Sequence, residues 1–200
     1  MAAPEAESHT MNFANKISTF RILSVPFFIA ALIYYTPSRG YLRLAALAIF
    51  CLAGISDAVD GYIARKSGQK SKAGLVLDPI GDKLLLMSAF ILLSDSTGVK
   101  LALKFPFWVV LIVLSRDVII VLGSVVIYMV RQRIEIIPSK WGKYTTIAQM
   151  LSVISVLLQL QKISRFLWWA AAGLTVISGL LYIKKGLKIL YGSDNCRDNI

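Results

Sequence analysis

Apolar residues run through this chain in long blocks separated by short polar breaks, and the blocks set the predicted elements. The spans fall near residues 21–36, 41–66, 75–95, 106–130, 144–161 and 166–186. Their length is close to the ~20 residues a helix needs to cross a hydrocarbon core about 30 Å thick. A core helix of a soluble protein would be shorter and would keep a polar face. Turn-forming clusters stand between the blocks: TPSRG (36–40), KSGQKSKAG (66–74), DSTGVK (95–100), RQRIEIIPSKWGK (131–143) and QKISR (161–165). Ahead of the first block, NFANKISTF (12–20) reads as a short amphipathic helix lying along the interface. The pattern therefore predicts an all-α integral membrane protein with six transmembrane helices and a short N-terminal interfacial helix. These form a single membrane domain over 12–190, between a disordered extension (1–11) and a polar tail (191–200).

Composition agrees, with 56% of residues hydrophobic and 16% charged, against about 25% charged in a soluble chain. The net charge of +11 would suit nucleic acid on a soluble protein. Here the Lys and Arg residues cluster at the ends of the spans, where they meet anionic headgroups, so membrane lipids and not nucleic acid are the expected partners. Fifteen of the 22 basic residues fall on one side of the predicted membrane and six on the other, with Arg116 inside the fourth span. That bias places both termini in the cytoplasm. Trp108, Trp168, Trp169 and Tyr41 then fall near the outer interface. Residues 1–11 hold two glutamates and no Lys or Arg, so no signal-peptide n-region is present and the first span reads as retained. Met11 is an alternative start that would leave residues 1–10 dispensable. Cys51, Cys196 and His9 form no metal or disulfide spacing.

Four aspartates interrupt this apolar pattern in DAVDGYIARKSGQKSKAGLVLDPIGD, residues 57–82. Residues three and four apart share a helix face, so Asp57, Asp60, Gly61 and Ala64 line a stripe at the end of the second span. Asp78 and Asp82 line another at the start of the third. The short loop makes the two helices antiparallel neighbours, and the stripes are expected to face each other just inside the membrane surface. Solvated charges at a helix end are the ordinary explanation for a single carboxylate there. Four together would raise one another's pKa and need a cation. Oxygen-only ligands at this density suit Mg²⁺ or Mn²⁺, and two such ions can clamp the entering and leaving oxygens of a phosphoryl displacement. Gly61, Ala64 and Gly74 leave room for a ligand. A divalent-cation transporter is the rival from another class, but it calls for acids at mid-membrane on broken helices.

The pattern Asp57-x2-Asp60-Gly61-x2-Ala64-Arg65-x8-Gly74-x3-Asp78-x3-Asp82 resembles, position for position, the signature of the CDP-alcohol phosphatidyltransferases. The resemblance implies a six-helix membrane enzyme, usually a homodimer, that uses divalent metal to move a phosphatidyl group from a CDP-linked lipid to an alcohol, with release of CMP. It also implies a bacterial inner membrane and a site facing the cytoplasm. Flanking pieces are similar to the members that make phosphatidylglycerol phosphate from CDP-diacylglycerol and glycerol 3-phosphate. These pieces are NKISTFR (15–21), LDPIGDK (77–83), SRD (115–117) and WGKYTTIAQM (141–150), with Ile17, Ser18, Gly81, Asp117 and Tyr144 departing from the usual residues. Members that make cardiolipin from phosphatidylglycerol share the DPxxDK piece, so that acceptor stays open. By position, Asp57, Asp60 and Asp78 would bind two metal ions. Asp82 would touch metal and take the acceptor's hydroxyl proton. Asp60, Gly61, Ala64, Arg65 and Gly74 would form the nucleotide side.

An acceptor carrying a phosphate dianion needs a basic seat. Arg116, halfway along the fourth span, has the guanidinium fork for it; the alternative is a neutralising pair with Asp117 or another aspartate. Lys140 and Lys143 either close over the same phosphate or touch headgroups. Arg21 either contacts a substrate or anchors the first helix.

Overall fold

The structure, a computed structural model, describes the backbone over residues 13–67, 83–131 and 140–191; within these, side chains are described at 22–56, 83–120, 122–123, 141–184 and 186. Among the described residues the regular elements are helical: α1 (Phe13–Ile33), a 3₁₀ turn (Pro37–Arg39), α2 (Gly40–Ser67), α3 (Lys83–Leu92), α4 (Phe107–Arg131), α5 (Lys140–Leu157) and α6 (Gln161–Tyr191). An isolated parallel bridge joins Ser94 to Phe105. The chain divides into two compact units, Met1–Ala89 and Phe90–Ile200.

In the first unit α1 and α2 pack together. Ser24, Phe28, Ala31 and Leu32 form the buried stripe of α1, and Ala46, Phe50 and Ala53 that of α2. Both follow the three-and-four spacing of a helical face. The rings of Phe28 and Phe50 meet at 5.9 Å. The lead-in expected for 12–20 and the first span form one continuous helix, with Pro26 inside it. Proline lacks the N–H that would bond the carbonyl four residues back, a defect that membrane helices tolerate.

In the second unit α6 packs against both α4 and α5. The polarity of this unit is inverted relative to a soluble bundle. Thr145, Gln149, Ser152, Ser155, Ser164, Thr175 and Ser178 are all buried, while Trp141, Tyr144, Ile147, Leu151, Phe166, Trp169 and Leu180 are exposed. Phe166 is 74% exposed and Thr145 0%. In water this surface would be an aggregation hazard. In a bilayer the apolar residues face lipid, while small polar residues between helices act as hydrogen-bonding glue. The bonds form a seam. Gln149 Nε2 donates to Thr175 Oγ1 at 3.2 Å and Ser164 Oγ to Ser155 Oγ at 2.8 Å. The Thr145 and Ser152 hydroxyls, which donate to the Trp141 and Ala148 carbonyls of α5 at 2.9 and 2.7 Å, lie 3.2 Å from the Leu174 and Leu167 carbonyls of α6. Each such bond stabilises by about 0.6 kcal/mol on average, so the seam fixes register more than it supplies energy. Among the described residues, two helical stretches, Pro37–Ser56 and Gln161–Lys184, are long and apolar enough to cross a membrane by length and composition.

The connection from α3 to α4 is more ordered than the polar string DSTGVK suggests. Val99, Leu101 and Phe105 are buried, and Phe105 stacks between Phe90 at 4.6 Å and Trp168 at 6.1 Å. Trp168 thus turns inward, whereas Trp169 is exposed and pairs with Trp108 at 4.9 Å. Gln159, in the left-handed region at φ 60°, turns the chain from α5 into α6 and ties this connection down. Its Oε1 accepts from the Leu103 N–H at 2.8 Å and its Nε2 donates to the Leu103 carbonyl at 3.2 Å. Gln159→Ala is expected to destabilise by about 1–3 kcal/mol, because both Leu103 groups lose their partner. Thermal unfolding of the detergent-solubilised protein measures this, and an unchanged midpoint would show that water replaces the amide without loss.

Candidate active site

α2 continues without a break to Ser67, so the expected register of its last turns holds. Asp57, Asp60, Gly61 and Ala64 lie within one helix at spacings of three and four residues, which brings them to one stripe. Arg65 follows directly. Two aspartates one turn apart on the helix offer hard oxygen donors, and two small residues, Gly61 and Ala64, follow them in the sequence. This donor set fits Mg²⁺ or Mn²⁺ and not a thiolate-loving metal. For these five residues the backbone alone is described, and Gly74, Asp78 and Asp82 lie outside the described residues. Among the described residues no group of three or more His, Cys, Asp or Glu is arranged to hold a metal.

Arg116 is described in full, in the middle of α4. Its Nη1 donates to Asp117 Oδ1 at 2.7 Å and its Nη2 to Ser178 Oγ at 2.9 Å. The pair with Asp117 is largely buried, at 12% and 4% side-chain exposure. The structure shows Arg116 paired with Asp117 and adds an anchor on α6, each using one hydrogen of one terminal nitrogen, so the pairing and a phosphate seat are not exclusive. A buried arginine is expensive without partners, and Asp117 and Ser178 supply two. Gly179 sits beside the stem: a Cβ there would lie 3.5 Å from Arg116 Cγ. One turn along, Tyr182 Oη donates to the Ile120 carbonyl at 3.2 Å, and a Cβ on Gly123 would come within 2.9 Å of the Tyr182 ring. Gly123 thus gives the Tyr182 ring room against α4, whereas a Cβ at Gly179 would be in ordinary contact with Arg116. The last span looked undiagnostic in the sequence, yet it supplies Ser178. A serine in an apolar run, followed by glycine, is a signal only once its neighbour is known.

α5 begins at Lys140 instead of near 144. Pro138 and Ser139 just before it are ordinary helix-start residues. Lys140 and Lys143 thus occupy the first turn, three residues apart on one face. Cations at a helix N-terminus oppose its dipole, whereas a helix N-terminus and a pair of lysines each favour an anion. Lys143 is exposed. Arg21 lies in α1; its side chain, like that of Lys140, is outside the described residues.

Among the described residues, the helical architecture and the apolar outer surface point to a membrane protein. The chain belongs to the CDP-alcohol phosphatidyltransferases, whose family model matches residues 11–177. It is thus a transferase of phospholipid synthesis. The chain is 34% identical over 186 residues to a probable phosphatidylglycerophosphate synthase of Mycobacterium tuberculosis H37Rv, covering 90% of this chain and 84% of that protein. It is 31% identical over 175 residues to the CDP-diacylglycerol–glycerol-3-phosphate 3-phosphatidyltransferase of Haemophilus influenzae, covering 84% and 89%. The Escherichia coli K12 protein of the same description is 30% identical over 179 residues, covering 86% and 93%.

Proposed function

We propose that this enzyme transfers the phosphatidyl group of CDP-diacylglycerol to a hydroxyl of sn-glycerol 3-phosphate, giving phosphatidylglycerol phosphate and CMP. The observation that carries the reading is similarity over most of the chain to proteins described by that reaction, at 30–34% identity. Asp57, Asp60 and Asp78 would hold two divalent ions, Mg²⁺ or Mn²⁺, with Asp82 reaching both metal and acceptor. Such ions, when bound, neutralise charge on phosphate oxygens and lower the pKa of a nearby hydroxyl. Asp82 takes the acceptor's hydroxyl proton as the new P–O bond forms and the bond to CMP breaks. Asp60, Gly61, Ala64, Arg65 and Gly74 seat the nucleotide, the small residues admitting ribose and base. Arg116, Lys140, Lys143 and Arg21 meet the acceptor's phosphate.

In this reading the chain forms six transmembrane helices in a bacterial inner membrane, acts as a homodimer and opens its site to the cytoplasm. The basic bias of one set of loops supports that orientation.

Radiolabelled glycerol 3-phosphate added to purified enzyme with CDP-diacylglycerol tests the acceptor. The expected product is a lipid bearing a phosphate monoester, with equimolar CMP. CMP release that depends on phosphatidylglycerol, with no label in lipid, would instead make the enzyme a cardiolipin synthase.

A further inference from the structure

We infer that Ser178 is a positioning residue for the acceptor's phosphate: it holds the Arg116 guanidinium so that the buried Nε, which no described group of the protein uses, is left for an oxyanion. The inference rests on the reading of Arg116 as a phosphate-binding group. A guanidinium carries five N–H donors in one plane. One hydrogen on Nη1 is used by Asp117 and one on Nη2 by Ser178. Nε is buried and has no hydrogen-bond partner among the described residues. A buried donor without an acceptor costs about 1–3 kcal/mol, a penalty that a ligand oxygen would remove. Nε and a terminal nitrogen are the pair that engages a phosphate or carboxylate side-on, through two parallel bonds.

Two anchors are needed to hold that edge. Asp117 is the next residue on the same helix and grips one terminal nitrogen only, which leaves the plane free to swing about the end of the stem. Ser178, 62 residues away on α6, grips the other terminal nitrogen and fixes the plane. Gly179 beside it leaves space for the stem, whose Cγ lies 3.5 Å from where a Cβ would be. Ser178 is itself buried, so water does not readily substitute for its hydroxyl. Its role is to aim Arg116 without touching the acceptor.

The test uses the full-length enzyme in mixed micelles, with CMP release followed as each substrate is varied at saturating concentrations of the other. Ser178→Ala is expected to raise KM for glycerol 3-phosphate about tenfold, the scale of one charge-assisted hydrogen bond. KM for CDP-diacylglycerol and kcat should stay within about twofold, since neither depends on the aim of this fork. Ser178→Thr, which keeps the hydroxyl, should recover most of the loss. A normal KM for glycerol 3-phosphate in the alanine variant overturns the inference, as does an equal rise in both KM values or a failure of threonine to rescue. A wild-type enzyme indifferent to glycerol 3-phosphate would sink the acceptor assignment and this inference with it. A wild type that uses it, alongside an unaltered alanine variant, would sink this inference alone.

Discussion

Asp57→Asn should lower CMP release by at least about 100-fold, and added Mg²⁺ or Mn²⁺ should recover little of it. Asparagine keeps the shape of the side chain and one oxygen but removes the charge. Groups that merely orient a metal ligand are already worth about 10–100-fold in metal affinity or activity, so loss of a ligand should exceed that range. Helix propensities of Asp and Asn are close, and α2 runs on for ten residues beyond Asp57, so folding should survive the change. The measurement is initial rate against metal concentration for wild type and variant. Unchanged turnover at every metal concentration would remove Asp57 from the site, and full activity of the wild type in chelator would remove the metal.

Arg116→Ala should raise KM for glycerol 3-phosphate about 10–100-fold while changing that for CDP-diacylglycerol far less. A charge-assisted hydrogen bond from a guanidinium contributes about 1.5–3 kcal/mol, a factor of roughly 10–100, and the acceptor, not the nucleotide, is expected to use it. Alanine also removes the tie between α4 and Ser178 on α6. The same change removes the cation from the buried Asp117, so the thermal midpoint is measured alongside the kinetics. Arg116→Lys separates packing from recognition: it retains the charge but loses the planar fork. Lysine should therefore keep the thermal midpoint near that of wild type and still bind the acceptor poorly. Equal effects of alanine on both substrates would confine Arg116 to a structural role.

Most helix positions are legible in the chain because apolar length and turn chemistry are local properties. The second span, read at 41–66, is the helix Gly40–Ser67, and the fourth, read at 106–130, is Phe107–Arg131. The misplacements have physical reasons. QKISR looks like a turn from composition, yet it is the first turn of α6, because the buried Ser164 hydroxyl finds Ser155 on α5. Gln159 makes the reversal instead, through a left-handed backbone and two bonds to a residue 56 positions away. The lead-in at 12–20 merges with the first span because no residue between them ends a helix.

The stripe of Asp57, Asp60, Gly61 and Ala64 follows from spacing, since a helix converts intervals of three and four residues into a shared face wherever it forms. The family rests instead on the resemblance of the whole pattern to a known signature. The partner of Arg116 does not follow from spacing. Asp117 is adjacent in sequence, but Ser178 is one of several serines in apolar runs, and only the packing of α4 on α6 selects it. The seam between α5 and α6 is of the same kind. Hydroxyls and an amide that look like interruptions of an apolar pattern become interior groups once a second helix supplies acceptors. Periodicity is written along one strand of chain, whereas hydrogen-bond partnership depends on which distant surfaces meet.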